Sequence, residues 1–229
     1  WYDKIKSKGG RMMFYYNEID LIVDLFKLVN TKKPDFLLAW NMAFDIPYLI
    51  QRIVNLGYDP RQIMCHSDFK YKECRYFIDE KNIGFEAERG DFATISSYTV
   101  FLDQMIQFVS RRKSSIKSFD NVKLDYIGEV ITGVRKLDYS HITTKIAELP
   151  WKNYKVFVFY NIMDTVVQKC IESKVGDIDY TFNKCLINNT RYQKCHRQTV
   201  YLVNRGTSNF YNNDELIICN NNNRHNKKE

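Results

Sequence analysis

Residues 35–57 read DFLLAWNMAFDIPYLIQRIVNLG. The unbroken apolar run FLLAW has the signature of a short strand buried on both faces. The segment DIPYLIQRIVNLG reads as a helix, with Asp45 at the N-cap, Pro47 in the first turn and Gly57 at the C-terminal stop. A carboxylate where a buried strand meets a helix has two readings. It caps the helix, or it holds a metal ion.

Upstream, IDLIVDLFKLVN at 19–30 places Ile22, Val23, Phe26 and Val29 at helical spacing. Asn17 with Asp20 is a start signal, and Pro34 in TKKPD disfavours helix before it. Downstream, residues 58–97 carry no clear period. YTVFLD at 98–103 reads as a second buried strand ending in a carboxylate, with a helix after it at 103–109. SRRKSSIKS at 110–118 is a basic loop. LDYIGEVITG, and the stretch from about 151 to 175, read as helices. This order predicts an α/β domain, a mixed sheet flanked by helices, over residues 1–178. After that the pattern weakens, and CNNNNRHNKKE has no core-forming residues. No internal repeat is visible.

The chain has 229 residues, 45% of them hydrophobic and 15% aromatic, enough for a sizeable core. It has no apolar stretch of membrane-spanning length and no signal-peptide pattern, so no membrane partner is expected. The net charge of +7 favours an anionic partner such as nucleic acid, although lysine- and asparagine-rich usage alone also raises it. The six cysteines form no C-x-x-C pair, which argues against a zinc knuckle and fits free thiols in a reducing cytoplasm. The first residue is Trp1 rather than Met, so a piece of a longer protein is expected.

The segment YNIMD, residues 160–164, carries a second pointer. On a helix, positions i and i+4 share a face, so Tyr160 and Asp164 present a phenol and a carboxylate together. Phe159, Met163, Val167 and Cys170 give an apolar flank. A core tyrosine beside an acid bonded to backbone or to a lysine is the plain alternative.

Taken together, WNMAFDIPYL resembles the second exonuclease motif of proofreading DNA polymerases, and YNIMD resembles the third. The flanking segments KPDFLLAWNMAFDIPYLIQR, KLDYIGEVITG and KLDYSHI are similar too. The resemblance is to family B DNA polymerases of the phage type, over about residues 15–178. It implies a ribonuclease H-like exonuclease fold and 3′→5′ hydrolysis of single-stranded DNA ends or primer–template DNA. It also implies two Mg²⁺ or Mn²⁺ ions, with Asp45 and Asp164 as carboxylate ligands. Tyr160 would position the attacking water as a neutral phenol, and Asn41 and Phe44 would hold the terminal nucleotide, Phe44 by stacking. Arg111, Arg112, Lys113 and Lys117 could track phosphates, or form a solvated basic loop. Residues 179–229 would lead toward a polymerase palm in the same chain.

The family's first motif, Asp-x-Glu, is absent, since no aspartate here is followed by Glu two places on. The expectation is that it lies upstream and that this stretch alone is nearly inactive. Asp103 also ends an apolar run but resembles no metal ligand of the family. Asp103 and Glu18 are the acids that would complete the site if this reading failed, while Asp125 and Asp138 read as caps. A stand-alone exonuclease acting on DNA or RNA, and a non-catalytic nucleic-acid-binding module, are the alternatives.

Overall fold

The protein is described by a computed structural model covering residues 6, 7, 9–79, 90–192 and 198–214. These divide into two units, the first reaching to residue 79 and including 91–103, the second running from 104 onward. Cys195, His196 and Cys219, and the polar end after 214, lie outside the described residues.

In the first unit the elements are α1 (Glu18–Lys32), β1 (Phe36–Ala39), α2 (Met42–Asn55), α3 (Pro60–Met64), β2 (Cys74–Phe77), β3 (Phe92–Ile95) and β4 (Val100–Asp103). β1 pairs with β4 in parallel, Phe36 opposite Val100 and Ala39 opposite Asp103. β2 pairs with β3 antiparallel, Phe77 opposite Phe92. The expected mixed sheet is thus, among the described residues, two separate two-stranded ladders. β1 is half-buried along its length rather than enclosed on both faces, and β4 carries the buried positions. The core gathers Ile22 and Phe26 of α1, Met42, Ile46 and Ile53 of α2, and Phe101 of β4. Phe26 stacks on Phe101 with ring centroids 6.5 Å apart.

Helix α1 begins after Asn17 as its spacing predicts, but the Asn17 side chain donates to the Asp20 carboxylate and accepts no bond from a helix amide. Gly57, with φ 86°, adopts the left-handed backbone just past the C-cap of α2, a conformation glycine takes without a Cβ clash.

The second unit contains α4 (Gln104–Arg111), α5 (Leu124–Thr132), α6 (Leu149–Lys152), α7 (Tyr154–Val175), α8 (Asp177–Ile187) and α9 (Gln198–Asp214). The helix expected from 151 to 175 is two helices. Asn153 has a non-helical backbone, and its side chain accepts a bond from the Val156 amide, restarting the helix as an N-cap. α5 packs along α7, and α4 along α8. α8 crosses the 178/179 boundary read from the sequence and belongs with the second unit. Among the described residues Cys65, Cys74 and Cys170 are in no disulfide. Burial pushes the Cys74 thiol up to about 12, which makes it inert.

Candidate active site

The first turn of α2 is set from a neighbouring strand. Asp103 ends β4 beside Ala39 and is 5% exposed. Its Oδ2 accepts a 2.8 Å hydrogen bond from the Met42 amide, the first N–H of α2. Such an N–H has no partner within its helix, and a carboxylate there also meets the positive end of the helix dipole. Asp103 therefore does the capping that the sequence assigned to Asp45. Asn41 is the N-cap residue, and Asp45 is the fourth residue of the helix, with its amide on the Asn41 carbonyl at 3.3 Å. Pro47 likewise falls inside the helix rather than in its first turn.

This phase decides what α2 shows to solvent. Met42, Ile46 and Ile53 point into the core, so helical geometry turns Asn41, Phe44, Asp45 and Tyr48 outward. Asn41 and Asp45 are exposed. Phe44 is 65% exposed and so is not a core residue. Its ring stacks on Tyr48 at 5.9 Å, which adds a second ring, not included in the sequence reading, to the surface Phe44 presents. Glu18 is held by Arg52 of α2 through two hydrogen bonds, at 2.7 and 2.5 Å.

In the second unit Tyr160 and Asp164 lie one turn apart on α7, in line with buried Val167 and Ile171. Gly128 of α5 sits against this helix. A Cβ there would come within 2.5 Å of Val167 and 2.6 Å of the Val134 carbonyl. Gly133, with φ 73°, ends α5 and turns the chain back. Asp125 pins the returning segment, accepting from the Lys136 amide at 2.8 Å and from Arg135 at 3.2 Å. Asp138 accepts from the Ser140 amide, which lowers its carboxyl below the usual range.

That segment delivers the residue the sequence reading missed. Lys136 Nζ donates to Asp164 Oδ2 at 2.9 Å and lies 3.4 Å from the Tyr160 hydroxyl. Burial, the largest influence, pulls the Lys136 ammonium down, but the bond to Asp164, the attraction of its charge and the contact with Tyr160 together outweigh it and the net shift is upward. Burial also pushes the Tyr160 phenol above its ordinary value, against the pull of Lys136. Both groups therefore stay protonated at neutral pH. Asp164 keeps one oxygen in reserve, since Oδ1 is buried and has no hydrogen-bond partner. Tyr139 packs edge-on against Tyr160 at 5.3 Å.

The basic residues at the end of α4 and just after it divide. Arg111 and Arg112 bind the two oxygens of Asp177, at 2.7 and 2.6 Å, and Asp177 is 1% exposed. Arg111 also donates to the Val175 carbonyl at 2.8 Å. Lys113 stands exposed in the turn that follows. Among the described residues, no three His, Cys, Asp or Glu side chains gather as a group able to hold a metal ion.

These elements and side chains define an α/β protein in which a carboxylate and a neutral phenol, one helical turn apart, are bonded to the same lysine. The particular family follows from comparison with known proteins. Residues 2–127, more than half of the chain, match the DNA polymerase family B exonuclease domain, and the chain belongs to that family. It is also similar to a DNA-directed DNA polymerase of Escherichia phage RB69, 25% identical over 166 residues. That similarity covers 71% of this chain and 16% of the phage polymerase, so the chain spans well under a fifth of that relative's length.

Proposed function

We propose that the chain is the 3′→5′ proofreading exonuclease portion of a replicative DNA polymerase, ribonuclease H-like in fold, acting on the 3′ end of single-stranded DNA. Water attacks the terminal phosphorus, the bond to the preceding 3′ oxygen breaks, and a nucleoside 5′-monophosphate leaves. The preceding sugar keeps its oxygen as a hydroxyl after taking up a proton. The observation that carries this reading is the buried, unpartnered Oδ1 of Asp164 beside a phenol bonded to the same lysine.

That oxygen fits a hard divalent ion, which prefers carboxylate ligands. Asp45 and Asp164 are the proposed holders. Bound Mg²⁺ or Mn²⁺ would supply positive charge opposite the phosphate and acidify the water. Tyr160 orients that water by hydrogen bonding, and Lys136 holds the Tyr160 oxygen and the Asp164 carboxylate in register. The exposed Phe44–Tyr48 pair offers a stacking surface for bases, and Asn41 stands at the start of the same turn. Lys113 is the loop cation proposed to follow the strand, because Arg111 and Arg112 are already bound to Asp177. Residues 179–229 are proposed to lead toward a polymerase palm.

The test is Mn²⁺ titration followed by electron paramagnetic resonance, together with digestion of a 3′-labelled single strand with Mg²⁺ or with chelator. Asp164→Asn is expected to weaken Mn²⁺ binding about tenfold or more, the usual scale for disturbing a metal's ligand set. Unchanged Mn²⁺ affinity in both Asp164→Asn and Asp45→Asn would overturn the assignment. Strand binding without digestion, even in a longer chain carrying an Asp-x-Glu motif, would favour a non-catalytic binding module.

A further inference from the structure

Helix α1 carries two apolar stripes, and the first unit buries one of them. Ile22, Phe26 and Val29 are buried. Leu21, Leu25 and Leu28 each stand one position earlier, and one helical step turns a side chain by about 100°. They are 48%, 42% and 56% exposed. The segment before α1 runs beside them without covering them. Tyr15 bonds Asp24 at 2.6 Å, and Arg11 and Met13 line, with the three leucines, a groove of about 620 Å³. Met13 and Phe14 are themselves exposed and add to the apolar surface. An apolar patch of this kind marks an interaction site, unlike apolar residues scattered singly. We propose that a second copy of this chain occupies it, with α1 packed antiparallel on the partner's α1. Pairing through α1 would stand whether or not the chain cleaves DNA.

The order of residues along the stripe selects the partner. Glu18, Leu21, Leu25, Leu28 and Lys32 follow one another at alternating spacings of three and four, the seam of a helix pair. Turned end for end about Leu25, this seam fits itself. Leu25 meets the partner's Leu25, Leu21 meets the partner's Leu28, and Glu18 meets the partner's Lys32. The match is isologous, each copy giving and receiving the same contacts across a twofold axis. Glu18 and Lys32 are both exposed. Glu18 is already paired with Arg52, but its side chain stays 40% exposed, so its carboxylate remains open to a second cation. Parallel pairing would set Glu18 on Glu18 and Lys32 on Lys32, and such like-charge contacts are costly. Antiparallel pairing also sets the positive end of each helix dipole beside the negative end of the other.

Sedimentation equilibrium of the 229-residue chain over a concentration series tests this. A reversible monomer–dimer equilibrium is expected. Leu25→Glu, at the exposed centre of the seam, should raise the dissociation constant about tenfold or more, the scale of a side chain that matters to an interface. Glu18→Lys and Lys32→Glu should each weaken the homodimer, because each places like charges together at both ends of the seam. An equal mixture of these two variants should regain the wild-type affinity, since the mixed pair restores opposite charges at both ends. Added salt should shrink the differences among the charge variants and leave that of Leu25→Glu. Thermal melting followed by circular dichroism checks that each variant is folded. A chain that stays monomeric throughout overturns the proposal. So does a dimer that Leu25→Glu leaves intact, or a mixture of the charge variants that associates no more tightly than either alone. Hydroxyl-radical footprinting of a longer chain adds a further arm. Protection of Leu21, Leu25 and Leu28 in a monomeric longer chain would assign the stripe to another segment of the same chain and would also overturn it.

Discussion

At the scale of single residues, Lys136 holds the site of the second unit together. It neutralises Asp164 and bonds Tyr160 with one ammonium group. Lys136→Met leaves a partly buried carboxylate without its partner and should cost about 1–2 kcal/mol in urea unfolding at pH 7. The double variant with Asp164→Asn should lose less than the two single losses combined, because the second change removes the stranded charge. The pH dependence follows from the upward shift of Lys136. The folded protein holds this proton more tightly than the unfolded chain does. The pair's stabilisation is therefore complete below the ordinary lysine value, about 10.4, and is lost as pH rises through the higher folded value. The stability gap between wild type and Lys136→Met should stay nearly constant from neutral pH to about 10 and close above that, as pH rises from the ordinary lysine value through the folded one. A gap that closed near pH 7 would show that Lys136 is not the titrating partner. Tyr160→Phe removes one hydrogen bond, so in a longer chain with a complete acidic set it should cost less activity than Asp45→Ala. Greater loss in Tyr160→Phe would make the phenol more than a positioning group.

At the scale of elements, two helices carry the proposed chemistry and each is set by a residue outside it. Asp103 fixes the start of α2. Asp103→Ala should destabilise the protein by about 1–2 kcal/mol, the loss of a buried cap, and should raise amide exchange first at Met42. Unchanged exchange there would mean that the cap is dispensable. Gly128 lets α5 approach α7, with Val167 and the Val134 carbonyl in the space a Cβ would fill. Gly128→Ala should cost about 1–3 kcal/mol by overpacking, despite the better helix propensity of alanine. It should also disturb Lys136, which follows on the segment leaving α5. A gain in stability would mean that the two helices separate easily.

At the scale of the whole molecule, charge counting bears on activity. Two divalent ions would bring about four positive charges, and the proposed ligands Asp45 and Asp164 would offset only part of them. Glu18 is engaged by Arg52, and Asp103 is buried at a helix start. The 229-residue chain alone should therefore digest a labelled single strand slowly, and a longer chain bearing an Asp-x-Glu motif should digest it fast. Rapid, chelator-sensitive digestion by the short chain would mean that another acid completes the site. Strand binding should weaken with salt. If about three phosphates are contacted, affinity should fall on the order of tenfold between about 50 and about 200 mM salt. A flat salt response would remove phosphate contact from the reading, despite the net charge of +7.

The periodicities of α1, α2, α5 and α7 and the apolar runs of β1 and β4 were legible in the sequence, because side-chain period and apolar burial are local properties. The two motifs were legible for the same reason, Tyr160 and Asp164 being one helical turn apart. Choice of partner was not. Asp103 reaches Met42 across 61 positions, Lys136 reaches Asp164 across 28, and Arg111 reaches Asp177 across 66. No local spacing records such pairs. Packing selects them, because a buried charge must find an opposite charge or an orphan N–H wherever the fold brings one. Residue types and helical periodicity thus came from the sequence alone, whereas the start of α2 at Asn41 did not. Tertiary structure decided that Asp45 faces solvent while Asp103 caps its helix, that Arg111 and Arg112 bind Asp177, and that Asp164 keeps one oxygen without a hydrogen-bond partner.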